Sequence, residues 1–345
     1  MAWAGSRGRA VCGRAVYRFA RASLRLGAMT TPLDPAIAEI IPLLPLRDPD
    51  TMTPQSARDS LVAMARARPP LQTTAQPRAI SVMGVAGQIP ARVYRVSEVR
   101  SATIVFYHGG GWVAGDLETH ERQAQLLAME TGAVVVSVDY RRPPEAPFPA
   151  AFEDCFAALR DIVARIDEFG GDLDRVGVGG DSAGGNLSAV CALAARDAGI
   201  RLAGQMLCYP VTDVAGRYAD PQENARYPSR HENAEGYFLS KAAMVWFADH
   251  YLGDARGDDW RVSPLRARSL AGVAPAVVCT AWFDPLRDEG EAYGDALEAA
   301  GVATKRHRGH GLIHGYFGMG EASEAARAEA QRARADFKAM LDLGA

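Results

Sequence analysis

Residues 175–195 read Arg175-Val-Gly-Val-Gly-Gly-Asp-Ser182-Ala-Gly-Gly-Asn-Leu-Ser-Ala-Val-Cys-Ala-Leu-Ala-Ala195. The short apolar run at 175–179 is typical of a buried strand, and the pattern at 187–198 is typical of a helix. Only a tight turn separates them, and it holds Ser182 between Gly180 and Gly184. A serine on such a turn is exposed above the sheet, and the flanking glycines avoid collisions that larger residues would cause. The stretch therefore predicts a nucleophilic serine at Ser182.

The same alternation of short apolar runs and longer helical patterns extends along the chain from residue 92 onward. Predicted strands lie at 102–107, 133–139, 205–209 and 274–281, and predicted helices lie at 121–131, 152–169 and 290–300. This alternation is typical of an α/β protein with a mostly parallel sheet. Two segments interrupt it: 34–68 carries two amphipathic helical patterns, and 212–252 is rich in Tyr, Asn, Glu and Arg. We expect both to form lids over the carboxyl edge of the sheet.

A second glycine-rich loop, His108-Gly109-Gly110-Gly111-Trp112, directly follows the first of these strands. Its bare backbone lets the amides of Gly109 and Gly110 approach a substrate carbonyl, and the amide of Ala183 at the helix start faces the same point. These three amides are the predicted oxyanion hole. A phosphate-binding loop is disfavoured, because no Lys-Ser/Thr pair follows and the spacing is not GxGxxG. We expect His108 to be structural and to anchor the loop.

An activated serine needs a base and an acid that orients the base, in the chain order serine, acid, histidine. Asp284 stands at the end of the strand predicted near 275–283 and is the expected acid. Asp288 is its rival, but we expect it to cap or pair locally. His314, flanked by apolar residues and glycine, is the expected base. His307 and His310 lie among arginines and glycine, which is typical of a solvated edge strand and loop.

Composition excludes several other classes. The 345 residues carry a net charge of -3, so no basic footprint for nucleic acid is present. No apolar run approaches the ~20 residues that cross a bilayer, so we expect no integral membrane association. The five cysteines are scattered and form no CxxC pair, which argues against a disulfide framework or a zinc site and favours a reducing cytoplasm. We expect neither a metal nor another cofactor.

Residues 1–28 differ from the rest of the chain. They contain six arginines and no acidic residue. This composition imitates a transit peptide, but a translation start placed too early, ahead of Met29, is the interpretation we prefer. We expect residues 29–345 to form a single domain, with a cap built from about 30–70 and 212–252.

The motifs together resemble those of the hormone-sensitive-lipase-like esterases, the bacterial family IV of α/β-hydrolases. In chain order the matching landmarks are His108-Gly-Gly-Gly-Trp, Ser137-Val-Asp-Tyr-Arg, Glu145 with Phe148-Pro-Ala-Ala, Gly180-Asp-Ser-Ala-Gly-Gly-Asn186, Ser263-Pro-Leu, Asp284-Pro-Leu-Arg-Asp-Glu-Gly and His314-Gly-Tyr-Phe. The resemblance spans about residues 30–342. It implies an α/β-hydrolase fold with an eight-stranded, mostly parallel sheet and a helical cap.

The resemblance also implies roles for particular residues. It assigns the catalytic triad to Ser182, Asp284 and His314, the oxyanion amides to Gly109, Gly110 and Ala183, and the substrate cleft to Trp112, Tyr209, Tyr237 and Phe238. The implied activity is hydrolysis of small carboxylic esters with short to medium acyl chains through an acyl-serine. The family alone also suggests a homodimer through the last sheet edge, near residues 304–307.

Two alternatives stay open at this point. The same triad could cleave amides, as an aryl-acylamidase or formamidase does, and sequence alone does not separate the two chemistries. A ligand-binding protein without catalysis is a different class on the same scaffold. The presence of both Ser182 and His314 argues against that class.

Overall fold

The structure is a computed structural model that describes residues 31–45 and 48–343. The arginine-rich segment 1–28 lies outside the described residues, so the structure tests neither interpretation of it. Among the helices of the described part, none is long and apolar enough to cross a membrane.

Eight strands of the described chain form one sheet. They are β1 (Arg78–Gly84), β2 (Gly87–Tyr94), β3 (Ser101–Tyr107), β4 (Val134–Val138), β5 (Gly171–Asp181), β6 (Gly204–Cys208), β7 (Ala276–Phe283) and β8 (Thr304–Ile313). Their order is β1-β2-β4-β3-β5-β6-β7-β8. β2 pairs antiparallel with β1 and β4, and every other neighbouring pair is parallel. The prediction of an eight-stranded, mostly parallel sheet is confirmed.

Helices connect the strands and cover both faces of the sheet. In chain order they are α1 (Pro35–Ile40), α2 (Pro54–Arg66), α3 (Glu121–Thr131), α4 (Ala150–Ala164), α5 (Ala183–Asp197), α6 (Pro221–Asn224), α7 (Ser229–Glu232), α8 (Lys241–Leu252), α9 (Arg287–Ala299) and α10 (Glu324–Leu343). Short 3-10 turns at Ile41–Leu43, Ile166–Phe169, Ala215–Tyr218, Pro264–Arg266 and Tyr316–Gly318 complete them. The helix predicted at 152–169 thus ends at Ala164 and continues as a 3-10 turn.

The core lies in two layers, because successive strand residues point to opposite faces of the sheet. On β3, Val105 belongs to the layer that packs under α4 and α5, where Leu159 is fully buried. Its neighbour Ile104 belongs to the other layer, together with Phe337 of α10. Burial on both faces explains why β4 reads as an unbroken apolar run.

The hairpin of β1 and β2 was not among the predicted strands. It is antiparallel and precedes the strand-helix alternation, so the pattern used to find the other strands does not contain it. Its signal is weaker, because only one face is buried: the residues of β2 alternate between exposed Gln88 and Pro90 and buried Ile89 and Ala91.

The two segments that interrupted the alternation are helical additions. Segment 34–68 contains α1 and α2, and segment 212–252 contains α6, α7 and α8. Side chains from both reach the cavity that holds Ser182, including Leu61 of α2 and Met244 of α8. The sheet therefore supplies a rigid edge, and the additions supply the walls above it.

Candidate active site

Ser182 occupies the sharp turn between the end of β5 and the start of α5. Its backbone angles, φ 55° and ψ -117°, are unusual for a residue with a side chain. The turn is held in place because the Ser182 amide donates to the carbonyl of Cys208 at 2.8 Å. A Cβ atom at Gly184 would collide with the carbonyl oxygen of Tyr107, so only glycine fits beside the serine. The surrounding backbone thus fixes the strained turn and directs Oγ toward the cavity.

Three side chains predicted from sequence meet at this turn. His314 Nε2 lies 2.9 Å from Ser182 Oγ, and His314 Nδ1 lies 2.7 Å from Asp284 Oδ2. Asp284 is fully buried, and His314 is 5% exposed. The amide of Leu286 donates to the second carboxylate oxygen of Asp284 at 2.9 Å, which fixes the orientation of the acid. With the proton on Nδ1, the imidazole can accept the hydroxyl proton of Ser182 at Nε2.

Asp288, the rival acid, lies in the first turn of α9 and pairs locally. Its Oδ2 accepts from the Ser229 amide at 2.7 Å, and its Oδ1 accepts from Arg287 Nε at 2.8 Å. Asp288 therefore ties α9 to α7 instead of orienting the base.

The two other histidines that follow the acid also have structural partners. His307 on the edge strand β8 lies 3.3 Å from Glu329 and 3.0 Å from Asp336 of α10. The hydrogen bond with Glu329 raises the pKa of His307, although burial opposes it. His310 packs against Trp282, with ring centroids 5.2 Å apart.

The glycine loop differs from the prediction in which amides it leaves available. The Gly109 amide donates to Asp181 Oδ1 at 3.0 Å and to His120 Nε2 at 3.2 Å, so its hydrogen is already used. The amides of Gly110 and Gly111 have no acceptor within the described residues, and both glycines line the cavity with Ser182. The predicted amide of Gly109 is therefore occupied within the protein, whereas those of Gly110 and Gly111 are left available to a substrate.

The residue before Ser182 is the physical reason why the Gly109 amide is occupied. Asp181 ends β5 beside Gly109, and a Cβ on Gly109 would stand 2.6 Å from its carboxylate. The carboxylate therefore holds the first glycine in place, and the next two face the cavity. Ala183 is the first residue of α5, so its amide has no partner inside the helix and remains available.

His108 anchors the other side of the glycine loop. Its ring stacks on Tyr140 with centroids 4.2 Å apart, and its Nδ1 lies 2.9 Å from the carbonyl oxygen of Gly109. The Tyr140 hydroxyl donates to the His108 carbonyl at 2.7 Å. Burial lowers the pKa of His108 well below its ordinary value, so the ring is neutral at physiological pH.

A cavity of about 950 Å³, part of it open to solvent, leads to Ser182 and His314. Three of the four aromatic residues predicted for the substrate cleft line it: Trp112, Tyr209 and Phe238. The Tyr209 ring lies 4.7 Å from that of His314. Tyr237 is not among the lining residues, and its ring packs against Phe283 at 5.0 Å.

The remaining wall of the cavity is mostly apolar. The apolar side chains come from α2, from the loops after β6, β7 and β8, and from the segment around α8: Leu61, Met64, Ala65, Val211, Leu239, Met244, Phe247, Leu286 and Met319. Among the described residues, no group of three or more His, Cys, Asp or Glu side chains is placed to hold a metal ion.

A buried ion-pair network fixes the 212–252 segment beside the loop that carries Asp284. The sequence did not predict this network. Arg230 of α7 and Glu289 of α9 are both fully buried and pair at 2.6 Å. Arg230 also donates to the carbonyl of Asp213, whose carboxylate pairs with Arg266 at 2.6 Å. Burial raises the pKa of Glu289 to about 7, although Arg230 opposes that shift. The network joins α7 and the loop after β6 to α9, the helix that begins just after Asp284.

Comparisons with known proteins show which family this chain is similar to. Residues 104–318 match the model of the α/β hydrolase fold family. The chain is 43% identical to the carboxylic ester hydrolase LipN of Mycobacterium tuberculosis over 273 residues, which is 76% of this chain and 70% of LipN. It is 36% identical to an ethyl acetate hydrolase of Pseudomonas putida over 247 residues, 69% of this chain and 74% of that one.

The fold also superposes on a solved structure of a thermostable esterase from Pseudomonas putida. The TM-score is 0.82 at 34% identity, and the match covers 90% of this chain and 98% of the esterase.

Proposed function

Since this chain belongs to the α/β-hydrolase family, in its hormone-sensitive-lipase-like group, and is a carboxylic-ester hydrolase, we propose that Ser182 is its nucleophile. His314 is the general base, and Asp284 orients it. The observation that carries this assignment is the continuous pair of contacts, 2.9 Å from Ser182 Oγ to His314 Nε2 and 2.7 Å from His314 Nδ1 to Asp284 Oδ2.

The reaction proceeds by acyl transfer. His314 takes the hydroxyl proton as Ser182 Oγ attacks the ester carbonyl, and Asp284 stabilises the imidazolium that forms. The imidazolium then gives its proton to the leaving alcohol, and an acyl-serine remains. Water repeats the sequence, with His314 as base, and releases the acid. Asp284 and His314 keep their geometry through acylation and deacylation, because both side chains are buried and little solvent has to rearrange around them.

The negative charge on the tetrahedral intermediate lies near the amides of Gly110, Gly111 and Ala183. Those of Gly110 and Gly111 have no acceptor within the described residues, and that of Ala183 opens a helix. Each preorganised donor contributes ~2.7 to 4 kcal/mol of transition-state stabilisation in comparable sites. Two or three such donors therefore account for much of the expected catalysis.

The test is ester turnover by Ser182→Ala. We expect loss of about 10⁶-fold in kcat on ethyl butanoate, since the nucleophile is removed. The matched control is Ser269→Ala, which changes an exposed serine that does not line the cavity and should retain wild-type turnover. Full activity of a folded Ser182→Ala protein would contradict the assignment.

We infer a preference for short to medium acyl chains. The cavity is walled by bulky side chains, among them Trp112, Tyr209 and Phe238, which limits the length it can enclose. The relative that is named an ethyl acetate hydrolase supports the same preference for short acyl chains. A series of chromogenic esters from acetyl to palmitoyl should peak at or below octanoyl. A peak at palmitoyl would contradict the inference.

Comparing an ester with an amide of the same acyl group tests which of the two bonds the enzyme cleaves faster. Acetanilide and phenyl acetate differ only in the atom that joins the acetyl group to the phenyl ring, nitrogen in one and oxygen in the other. Their relative kcat/KM values therefore measure the preference for esters over amides directly. We expect the ester to be cleaved faster. A higher kcat/KM on the anilide would favour the amidase alternative.

We further propose a cytoplasmic location. Cys155, Cys191, Cys208 and Cys279 are buried and free. Cys208 and Cys279 are partners across β6 and β7, yet they form no disulfide. Free thiols at such a pairing fit a reducing compartment. Cell fractionation tests this, and recovery of the protein outside the cytoplasm would contradict it.

We also propose a homodimer through β8. This strand is the edge of the sheet, so its outer backbone groups face no other strand of the described chain. Light scattering behind size-exclusion chromatography should give twice the monomer mass. A monomeric mass at micromolar concentration would contradict the proposal.

A further inference from the structure

One arginine lies in the wall of the catalytic cavity. Of the lining residues in the described part of the chain, Arg68 is the only lysine or arginine. It stands just after the end of α2 and faces Gly318, the last residue of the turn that follows His314. A Cβ atom built on Gly318 would lie 3.5 Å from Nη1 of Arg68 and 3.7 Å from Nε2 of Gln123. Two groups that carry N–H donors therefore converge on one part of the cavity.

Neither group has a partner within the described residues. The guanidinium of Arg68 makes no hydrogen bond or ion pair there, and the amide of Gln123 makes no hydrogen bond. The neighbouring arginines are satisfied: Arg66 pairs with Glu118 at 2.7 Å, and Arg122 pairs with Glu321 and donates to a backbone carbonyl. Arg68 is thus the cation whose charge is left facing the cavity.

The surroundings make this charge suited to a ligand. Burial lowers the pKa of Arg68 and nearby Arg122 adds repulsion, while Glu321 opposes the shift. An arginine nevertheless stays protonated in proteins, so the site retains a partly desolvated cation. Tyr209, which lines the same cavity, is 1% exposed, and its hydroxyl has no partner within the described residues. An anion that met these donors would replace lost hydration with charged hydrogen bonds.

The remaining charges in the cavity restrict where such an anion can be. Asp181 lies beside the nucleophile and is the only acidic residue among the described lining residues. Its carboxylate repels a second negative charge near Ser182. The favourable position for an anion is therefore beside Arg68 and Gln123 and not beside Asp181.

We propose that Arg68 and Gln123 bind a carboxylate carried by the substrate, so that this hydrolase prefers half-esters whose free carboxylate lies at the end remote from the cleaved bond. The inference rests on the proposed role of Ser182 and adds a substrate class to it. The carboxylate could belong to the acyl part or to the alcohol part of the ester, since both extend from the serine into the same cavity.

The experiment compares anionic esters with neutral esters of matched length in a pH-stat. For the acyl side, the pair is monoethyl glutarate and ethyl pentanoate. For the alcohol side, the pair is the butanoate ester of γ-hydroxybutyrate and butyl butanoate. The readout is the ratio of kcat/KM for the anionic to the neutral ester, measured for wild type and variants.

Arg68→Met should lower that ratio at least about tenfold on one of the two sides, which corresponds to ~1.4 kcal/mol. The loss should be in KM, because the interaction is present in ground state and transition state alike. Gln123→Leu should lower the same ratio by a smaller factor without changing charge. Arg66→Met removes the same charge from the same segment outside the cavity, and its ratio should equal that of wild type.

Charge reversal provides the complementary test. Arg68→Glu should favour the cationic ethyl ester of δ-aminopentanoate over ethyl pentanoate, if the acyl side holds the charged group. The wild-type preference for the anionic ester should also weaken as sodium chloride is raised, since the site is only partly buried.

The outcomes separate this inference from the proposed function. Unchanged ratios on both sides in Arg68→Met, with the neutral esters still cleaved, would overturn the carboxylate site and leave Ser182 in its role. Absence of turnover on every neutral ester by folded wild-type protein would instead overturn the proposed function.

Discussion

Replacement of Asp284 by asparagine is expected to move the imidazole proton of His314 from Nδ1 to Nε2 without changing the shape of the site. In the structure, one carboxylate oxygen accepts from the Leu286 amide at 2.9 Å and the other lies 2.7 Å from His314 Nδ1. The asparagine oxygen must keep facing Leu286, because only an oxygen can accept that bond. Its NH2 group then faces Nδ1 and makes that nitrogen an acceptor.

The proton of the imidazole consequently moves to Nε2, 2.9 Å from Ser182 Oγ. An Nε2 that carries hydrogen cannot take the serine proton, so general-base catalysis is lost. The equivalent change in another serine hydrolase triad lowers kcat about 10⁴-fold, which corresponds to ~5.5 kcal/mol, and we expect a similar loss here.

The assay is kcat/KM on ethyl butanoate, with circular dichroism to verify that the variant is folded. Asp288→Asn is the matched control, because Asp288 pairs with Ser229 and Arg287 away from the base. We expect its activity to stay within about threefold of wild type, since no catalytic contact is removed. The reasoning is refuted if Asp284→Asn retains a tenth of wild-type activity, or if Asp288→Asn shows the large loss.

The remaining predictions concern the stability of the fold and the turn that carries Ser182. Glu289→Ala should destabilise the fold by ~3 to 5 kcal/mol in urea unfolding, because it leaves Arg230 buried and unpaired; a loss under 1 kcal/mol would show the pair is dispensable. His307 has a raised pKa, so its protonated form stabilises the folded state below the ordinary pKa of about 6.5, and that stability is lost as the pH rises through the folded-state pKa. The stability gap between wild type and His307→Gln should therefore shrink by ~1 kcal/mol from pH 6 to pH 8, and a gap that widens would contradict the sign. Gly184→Ala should lower kcat about 100-fold, since its Cβ meets the Tyr107 carbonyl and displaces the nucleophile; wild-type kcat in this variant would argue against close packing around the turn that carries Ser182.

Much of the site could be predicted from sequence because its parts lie at the ends of recognisable strands. Ser182 and Asp284 each follow a buried strand of a mostly parallel sheet, and His314 follows the edge strand β8. The carboxyl ends of parallel strands meet at one edge of the sheet. Chain order then distinguished the three roles. Local sequence thus carried both the position and the chemistry of these residues.

The features that sequence could not provide depend on side-chain contacts between distant residues. The choice of Gly111 over Gly109 depends on the carboxylate of Asp181, 72 positions along the chain, which takes up the first amide of the loop. The pairing of Arg230 with Glu289 spans 59 positions and joins two separate elements. No periodicity connects such partners, so only the folded arrangement identifies them.

The same limit applies to the cavity wall. Tyr237 and Phe238 are adjacent in sequence and equally aromatic, yet only Phe238 lines the cavity. Arg68 gave no sequence signal at all, because an arginine after an amphipathic helix is ordinarily a solvated residue. Its significance arises only from its unpaired state in the wall that also holds the nucleophile.

The most direct test of the central claim is covalent labelling by an alkyl phosphonate ester of 4-nitrophenol. Peptide mass spectrometry should find one phosphonyl group per chain on Ser182, with release of nitrophenol in equal amount and loss of ester hydrolysis in proportion to labelling. A label on another residue with equal loss of activity, or stoichiometric labelling of Ser182→Ala, would contradict the claim.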